Sequence, residues 1–87
     1  MYFLYILQSQ KNGRYYIGST NNLERRISEH NSGKTRSLKY IRPLNIVFKQ
    51  EFSEALDAKR MEMKLKKFKN RSIIERIILE QKIDTGP

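Results

Sequence analysis

Cysteine and tryptophan are absent from this sequence of 87 residues, and histidine occurs once, at His30. Without cysteine the chain has no disulfide framework, no thiolate zinc site and no cysteine nucleophile. A structural zinc site needs about four Cys or His ligands, which a single histidine does not supply. The lack of cysteine is consistent with a reducing compartment, so we expect a protein of the cytoplasm or the nucleoid.

Long apolar runs are missing as well. The most apolar stretch, Tyr2 to Leu7, is far shorter than the roughly 18 residues of a membrane span. No basic residue precedes it and no small-residue cleavage site follows it, as a signal peptide would require. We therefore interpret it as a β-strand that is buried on both faces, and we expect no membrane partner.

Acidic residues are scarce relative to basic ones. The 18 Lys and Arg exceed the 9 Asp and Glu and leave a formal charge of +9, which attracts polyanions. No basic amphipathic helix with a Trp, Phe and Leu face stands out, so nucleic acid is favoured over a membrane surface. The charge alone leaves open a DNA-binding protein, an RNA- or ribosome-associated protein and a merely soluble basic protein.

The length supports a single domain, which we place at residues 1–80 with a short tail at 81–87. Asn12-Gly13 predicts a tight turn, and therefore an antiparallel hairpin. The predicted order is ββαβαα, an α+β fold with a small three-stranded, mainly antiparallel sheet flanked by helices. The strands are expected at Tyr2 to Leu7, Arg14 to Gly18 and Leu44 to Phe52, and the helices at Leu23 to His30, Ser53 to about Phe68, and Ser72 onward.

Finer features follow from the same patterns. Alternation in the third strand predicts one shared side for Leu44, Ile46 and Phe48. The second helix, with Ser53 as its N-cap, is expected to bury a stripe formed by Ala58, Met61, Leu65 and Phe68. Ser19-Thr20-Asn21-Asn22 is a cluster of helix-capping residue types and predicts the start of the first helix, and Gly33 is expected to end that helix. A capping box is expected to start the third helix at Ser72 and Glu75. The buried face of this helix is expected to consist of Ile74, Ile77 and Ile78.

Glu62 breaks the local pattern of the second helix. It lies at the edge of the apolar stripe, where burying a carboxylate is costly unless it is paired or bound to a cation. It is also the only acid in residues 59–71, which carry 7 − 1 = +6 charges. An ion pair with Lys66 or Lys59 is the simplest explanation of this residue taken alone.

Four other residues suit either structure or chemistry. Tyr5 and Tyr16 are normal core phenols when each is considered alone. Arg26 and His30 are four residues apart and share one face of the first helix, beside its apolar side. A cation next to an imidazole suits a phosphate, although a solvated helix face with nearby glutamates explains the pair equally well.

In combination these positions resemble the GIY-YIG nuclease family. Its two signature elements appear as Phe3-Leu4-Tyr5 and Tyr16-Ile17-Gly18, with Phe3 standing where the family has glycine. An arginine, a histidine and a late glutamate follow in the family's order. The resemblance extends from Tyr2 to Ile78 and is strongest to small stand-alone members, which are similar to the nuclease module of the bacterial excinuclease, a DNA repair enzyme.

This resemblance implies a metal-dependent endonuclease that hydrolyses DNA phosphodiester bonds. It assigns catalytic positions to Tyr5, Tyr16, Arg26, His30 and Glu62. By the same resemblance Tyr16 is the candidate general base, Arg26 holds the phosphate, and His30 accepts a proton or orients the tyrosine. Gly18 matches the second signature glycine, where a missing side chain allows a close backbone approach.

The cofactor implied by the resemblance is one Mg²⁺ or Mn²⁺ ion held by Glu62. A single ion suits the sequence, because no other acid has an obvious joint position with Glu62 and two-metal sites usually need several clustered acids.

Basic residues outside the signature are expected to contact the DNA backbone without reading sequence. These residues are Lys34, Arg36, Lys39, Arg42, Lys59, Lys66, Lys67, Lys69 and Arg71. Weak intrinsic specificity makes targeting by a protein partner an option. The alternative function is a non-catalytic nucleic-acid-binding module on the same scaffold.

Overall fold

A computed structural model of the chain describes residues 1–31, 43–68 and 70–83. The elements follow the predicted order ββαβαα, and the α+β fold is confirmed. The strands are β1 (Tyr2–Ser9), β2 (Tyr15–Thr20) and β3 (Leu44–Phe52), and the helices are α1 (Leu23–Asn31), α2 (Ala55–Phe68) and α3 (Arg71–Glu80).

The sheet has the order β2-β1-β3, and both pairings are antiparallel. β1 is central, so both of its edges are hydrogen-bonded, and helices pack on both faces of the sheet, so its residues from Leu4 to Leu7 are all buried. The predicted hairpin turn forms between β1 and β2. Gly13 adopts a φ of 74°, which only glycine tolerates easily, and its N–H donates to the Ser9 carbonyl at 2.9 Å.

The sheet separates two apolar clusters. On one face Tyr5 and Leu7 pack with Leu23 of α1 and with Leu44. On the other face Leu4 and Ile6 pack with Phe48, with Leu65 of α2, and with Ile74 and Ile77 of α3. Alternation along β1 produces this division, because successive side chains of a strand point to opposite faces. We call the two sides of the sheet the α1 face and the α2/α3 face.

The predicted shared side for Leu44, Ile46 and Phe48 is wrong. Ile6 pairs with Phe48 whereas Leu7 pairs with Ile46, so Val47 is an extra residue in β3. Such a bulge shifts the alternation by one position. Leu44 therefore joins the α1 face and Phe48 joins the α2/α3 face, while Ile46 remains 39% exposed.

Both helix starts after β3 also differ from the sequence expectation. α2 begins at Ala55, and its first helical hydrogen bond runs from Ala58 N–H to the Glu54 carbonyl, so the cap position lies one residue after Ser53. At α3 the N-cap is Asn70, whose side chain accepts from Ser72 N–H at 2.9 Å. The expected capping box at Ser72 and Glu75 is wrong, since Asn70 occupies the cap position.

The buried side of α2 consists of Ala58, Glu62 and Leu65. Phe68 is 37% exposed and was wrongly included in the apolar stripe. Burial therefore recurs at intervals of four and then three residues, and the middle position is a carboxylate. Glu62 lies within the packed face of α2 rather than at its edge.

Two asparagines fix α1 at its ends. At the N-terminus the Asn22 side chain accepts from Arg25 N–H at 3.1 Å, as the predicted cap cluster requires. At the C-terminus the Asn31 amide both donates to the Leu44 carbonyl, at 3.1 Å, and accepts from Leu44 N–H, at 2.8 Å. This paired contact ties the end of α1 to the start of β3 and holds the helix against the sheet.

The end of the described chain remains attached to the domain. Gln81, in the left-handed conformation after α3, donates to the Val47 carbonyl at 3.2 Å, and Ile83 packs against the cluster on the α2/α3 face. The expected cap at Gly33, the basic segment at 34–42, Lys69 and the tail from 84 onward lie outside the described residues.

Candidate active site

A cleft of about 640 Å³ follows the free edge of β2. Side chains from both faces of the sheet line it. From the α1 face come Tyr5, Tyr16, Arg26 and His30, and from the α2/α3 face come Ser19, Lys59, Glu62, Lys66 and Arg71. All five residues expected to be catalytic therefore line one cleft, although the chain places them on four elements.

The strand β2 joins the two halves of this cleft. Tyr16 pairs with Leu7 and Gly18 pairs with Tyr5, so both belong to the α1 face. Ser19 pairs with Leu4, which belongs to the α2/α3 face. The sheet ends at β2, and groups from opposite faces meet around its edge there.

Gly18 lies directly against Tyr5. A Cβ atom at this position would lie 2.4 Å from the Tyr5 Oη atom and 2.6 Å from its Cζ atom, closer than side chains pack. The missing side chain lets the phenol of the central strand lie flat against the backbone of the edge strand. The Tyr5 hydroxyl thereby reaches the cleft, while the ring stays buried.

His30 contacts this same phenol. Its Nε2 atom lies 3.2 Å from Tyr5 Oη, and the ring is 3% exposed. Burial, followed by the positive charge of Arg26, lowers the pKa of His30 below 6.5, with Glu29 opposing the shift. His30 is therefore neutral at neutral pH. Its Nδ1 atom is buried without a hydrogen-bond partner among the described residues.

We expected His30 to act on Tyr16, and the structure pairs it with Tyr5 instead. Tyr16 lies on the same face and is half-buried, and its hydroxyl makes no hydrogen bond with the described part of the chain. Arg26 is 43% exposed and lies 3.6 Å from Glu29, which Arg25 also approaches, at 3.4 Å. Of these two arginines only Arg26 lines the cleft.

Glu62 is 5% exposed and is held from three directions. Its Oε1 atom accepts from Ser19 Oγ at 2.6 Å and lies 3.5 Å from Lys59 Nζ, and its Oε2 atom accepts from Lys66 Nζ at 2.6 Å. Burial raises the pKa of this carboxyl. The hydrogen bonds and charges of Lys66, Ser19 and Lys59 outweigh burial and hold the pKa below 4.5.

The donor set fits one hard divalent cation. Within residues 1–31, 43–68 and 70–83 no three His, Cys, Asp or Glu side chains cluster as metal ligands. Glu62 is the carboxylate among the described residues that line the cleft, so an ion bound there would have it as its ligand. Mg²⁺ commonly takes one or two carboxylates and completes its shell with water and phosphate oxygens. Glu62 supplies one ionised carboxylate at the lining of the cleft, which matches the smaller of these ligand numbers.

The nine basic residues that were expected to contact the DNA backbone divide into three groups. Lys59, Lys66 and Arg71 line the cleft, and Lys67 is exposed on α2 outside it. Lys34, Arg36, Lys39, Arg42 and Lys69 lie outside the described residues. Among the described lining residues five are Lys or Arg and one is a carboxylate, which gives the cleft the sign that attracts a polyanion.

The sequence analysis missed three contributors to the cleft. Ser19 was interpreted as part of a helix-capping cluster, and only the packing of α2 reveals its bond to Glu62. Arg14 and Tyr15 were assigned to a strand without a role, yet both line the cleft, and Arg71 lies over the Tyr15 ring at 4.7 Å. Strand alternation after Gly18 was the available signal for Ser19, since it turns Ser19 away from Gly18.

Comparison with known proteins gives one consistent result. A family described as the GIY-YIG catalytic domain matches residues 1–75. A UPF0213 protein of Staphylococcus haemolyticus is 34% identical over 87% of this chain and 93% of its own length, and the UPF0213 protein YazA of Bacillus subtilis is 34% identical over 76% and 67%. The solution NMR structure of a UPF0213 protein from Bacillus halodurans superimposes with a TM-score of 0.58 at 32% identity, covering 93% of this chain and 87% of that one. Within the described residues no helix is both long and apolar enough to cross a membrane.

Proposed function

Because the chain belongs to the GIY-YIG family of nuclease domains, we propose that it is a divalent-metal-dependent endonuclease that hydrolyses DNA phosphodiester bonds. One observation carries this proposal. Two tyrosines, an arginine, a histidine and a buried glutamate, which are far apart in sequence, line one positively charged cleft. A mere binding surface would not require a buried, ionised carboxylate at its centre.

The proposed roles follow from the positions of the side chains. Arg26 is exposed enough to hold a phosphate through its planar guanidinium. Tyr16, whose hydroxyl makes no bond within the described residues, first releases its phenolic proton to solvent, and the Oη atom of the resulting phenolate then takes a proton from the attacking water. The buried pair of Tyr5 and His30 fixes the floor of the cleft beside Tyr16.

Glu62 is the proposed ligand of one Mg²⁺ or Mn²⁺ ion, with water and phosphate oxygens completing the shell. Such an ion, when bound, neutralises charge that develops on the phosphate and the leaving oxygen. Ser19 positions the carboxylate through its 2.6 Å hydrogen bond. Lys59, Arg71 and the nearby Arg14 draw the DNA backbone into the cleft.

The proposed substrate is DNA, bound through its backbone with little sequence preference. The polar groups of the cleft suit phosphates, so selection by DNA structure or by a protein partner is part of the proposal. We also propose a cytoplasmic location, where such a substrate is found.

One observation favours the alternative, a nucleic-acid-binding module without catalysis. Both oxygens of Glu62 already accept hydrogen bonds, from Ser19 and Lys66. A carboxylate satisfied in this way serves as a structural ion pair. The alternative predicts tight DNA binding with no cleavage under any divalent metal.

Cleavage of labelled duplex, single-stranded and branched DNA, and of an RNA duplex, tests the proposal with Mg²⁺, Mn²⁺ or EDTA. The wild type is compared with Glu62→Gln and Tyr16→Phe. Matched controls are Glu24→Gln, an exposed glutamate on α1, and Tyr2→Phe, a half-buried tyrosine outside the cleft.

We expect metal-dependent cleavage that both site variants lose and both controls keep, with DNA binding retained throughout. Binding without cleavage in the wild type would favour the binding module instead. Cleavage that survives Glu62→Gln would remove Glu62 from the metal site. A preference for RNA would reassign the substrate.

A further inference from the structure

The ammonium group of Lys66 lies where a cation bound to Glu62 would lie. Its Nζ atom is 2.6 Å from Oε2, and Glu62 is buried beneath it. Mg²⁺ binds carboxylate oxygens at about 2.0–2.1 Å. An ion on Oε2 would therefore sit within a few ångströms of a positive charge that already occupies the same oxygen.

The other oxygen of Glu62 is less open to an ion. Oε1 accepts from Ser19 Oγ at 2.6 Å and has Lys59 Nζ at 3.5 Å. Ser19 belongs to the edge strand and is fixed by its pairing with Leu4, whereas Lys66 reaches Oε2 on a flexible four-carbon side chain. Of the two groups that bond Glu62 at 2.6 Å, Lys66 is the one at the end of a long, flexible side chain, so its charge can move several ångströms away from the carboxylate.

The cleft also offers the Lys66 ammonium group an alternative binding partner. Its side chain is 55% exposed and lines the cleft that would receive the DNA backbone. A backbone phosphate in the cleft is an alternative anion for the ammonium group, at the moment when Glu62 gains another cation.

We propose that Lys66 is a tethered cation that fills the metal position at Glu62 in the free protein and moves to a DNA phosphate when a divalent ion binds. The inference rests on the proposed function, because it takes Glu62 as the metal ligand. It adds a coupling between two ligands: DNA and the metal ion bind cooperatively, because the phosphate removes the group that competes with the ion for Glu62. By linkage, the ion strengthens DNA binding by the same factor.

Mn²⁺ binding in the absence of DNA, followed by electron paramagnetic resonance of the free ion, tests this competition directly. The variants are Lys66→Met, Lys66→Gln, Lys59→Met and Glu62→Gln. Lys66→Gln retains a hydrogen-bond donor for Glu62 and serves if Lys66→Met does not fold. Lys59→Met removes a second positive charge near the same carboxylate but leaves Oε2 occupied, so it measures the effect of charge alone.

We expect both Lys66 variants to bind Mn²⁺ at least about tenfold more tightly than the wild type, within the usual range of coupling between two sites. Lys59→Met should change the dissociation constant far less, and Glu62→Gln should abolish this binding. Thermal unfolding gives a second readout: Ca²⁺ should raise the Tm of Lys66→Gln and leave that of the wild type nearly unchanged.

The cooperative part of the inference is tested with DNA in a Tyr16→Phe background, which should leave the duplex uncut. DNA should tighten Mn²⁺ binding strongly when Lys66 is present and weakly when it is replaced by Gln. Equal Mn²⁺ affinity in the wild type and both Lys66 variants, lost only in Glu62→Gln, would overturn the inference and leave the metal site intact. No Mn²⁺ binding in any variant, with or without DNA, would overturn the metal site itself.

Discussion

Tyr5 and His30, which are 25 positions apart in the chain, meet in the interior with 3.2 Å between the Tyr5 Oη and His30 Nε2 atoms. This contact joins the central strand to α1 at the floor of the cleft. It depends on Gly18, because the phenol occupies the space that a side chain at this position would fill. One glycine thus determines whether the two polar groups can meet.

Gly18→Ala should therefore destabilise the protein. The new methyl group would overlap the buried Tyr5 ring, and overpacking of this kind costs about 1–3 kcal/mol. Urea unfolding should show this loss, and NMR should show a displaced Tyr5 ring. Thr20→Ser is a useful comparison, since it changes a residue of the same strand, keeps its hydroxyl and adds no volume. An unchanged free energy of unfolding in Gly18→Ala would contradict the close contact.

Stability should fall in mild acid because of His30. Its pKa is lowered from 6.5 by burial and by Arg26. Between pH 6.5 and the lower folded-state pKa, the unfolded chain therefore binds a proton that the folded chain does not bind. The free energy of unfolding should decline as the pH drops from 6.5 toward the folded-state pKa, by up to about 1.4 kcal/mol per pH unit.

Replacement by glutamine isolates this effect. His30 is the only histidine in the chain, so His30→Gln should remove the slope between pH 6.5 and pH 5, whatever its effect on absolute stability. Urea titrations of both proteins across this range provide the measurement. Parallel curves would show that His30 takes up its proton equally well in both states.

A second loss of stability should appear at lower pH and belong to Glu62. Its pKa is held below 4.5 despite burial, chiefly by the bonds from Lys66 and Ser19. The ionised form stabilises the fold above pH 4.5, and this contribution is lost as the pH falls through the folded-state pKa. The difference in free energy of unfolding between the wild type and Glu62→Gln should shrink from pH 5 to pH 3. A difference that stays constant would contradict the lowered pKa.

The two arginines at the start of α1 offer a matched test of phosphate binding. Both lie near Glu29, but only Arg26 lines the cleft. Arg26→Gln should lower kcat/KM for DNA cleavage by about 10²-fold or more, as the loss of a group stabilising transition-state charge does. Arg25→Gln removes the same charge from the same helix and should retain most activity. Equal losses would point to net charge rather than to a phosphate clamp.

The sequence was sufficient for the element order, because apolar runs, the Asn12-Gly13 turn and the Asn22 cap are local signals. The family signature also placed five residues together before their geometry was known. It could not show that Ser19 bonds Glu62 or that His30 bonds Tyr5. Those contacts depend on how helices pack across two faces of a sheet, which no local pattern encodes.

The cap of α3 shows a different limit. Asn70 and Ser72 both belong to residue types that cap helices, and the sequence offers each of them a plausible register. The choice depends on how α2 and α3 pack against the sheet, where Leu65 of α2 and Ile74 of α3 belong to the same cluster. Tertiary contacts thus select between two local solutions of similar quality.

The extra residue at Val47 makes the length of β3 as important as its composition. The alternation of side chains reverses at Val47. The segment before it therefore contributes Leu44 to the cluster on the α1 face, and the segment after it contributes Phe48 to the cluster on the α2/α3 face. If the same sequence paired without the bulge and Phe48 stayed opposite Ile6, Val47 would lie opposite Leu7 and Leu44 would turn away from the α1 face. The two hydrogen bonds between the Asn31 side chain and the Leu44 backbone would then be lost. The end of α1 that carries His30 would no longer be held against the sheet. A one-residue shift of register far from the cleft would in this way disrupt the α1 side of it, although no residue lining the cleft had changed.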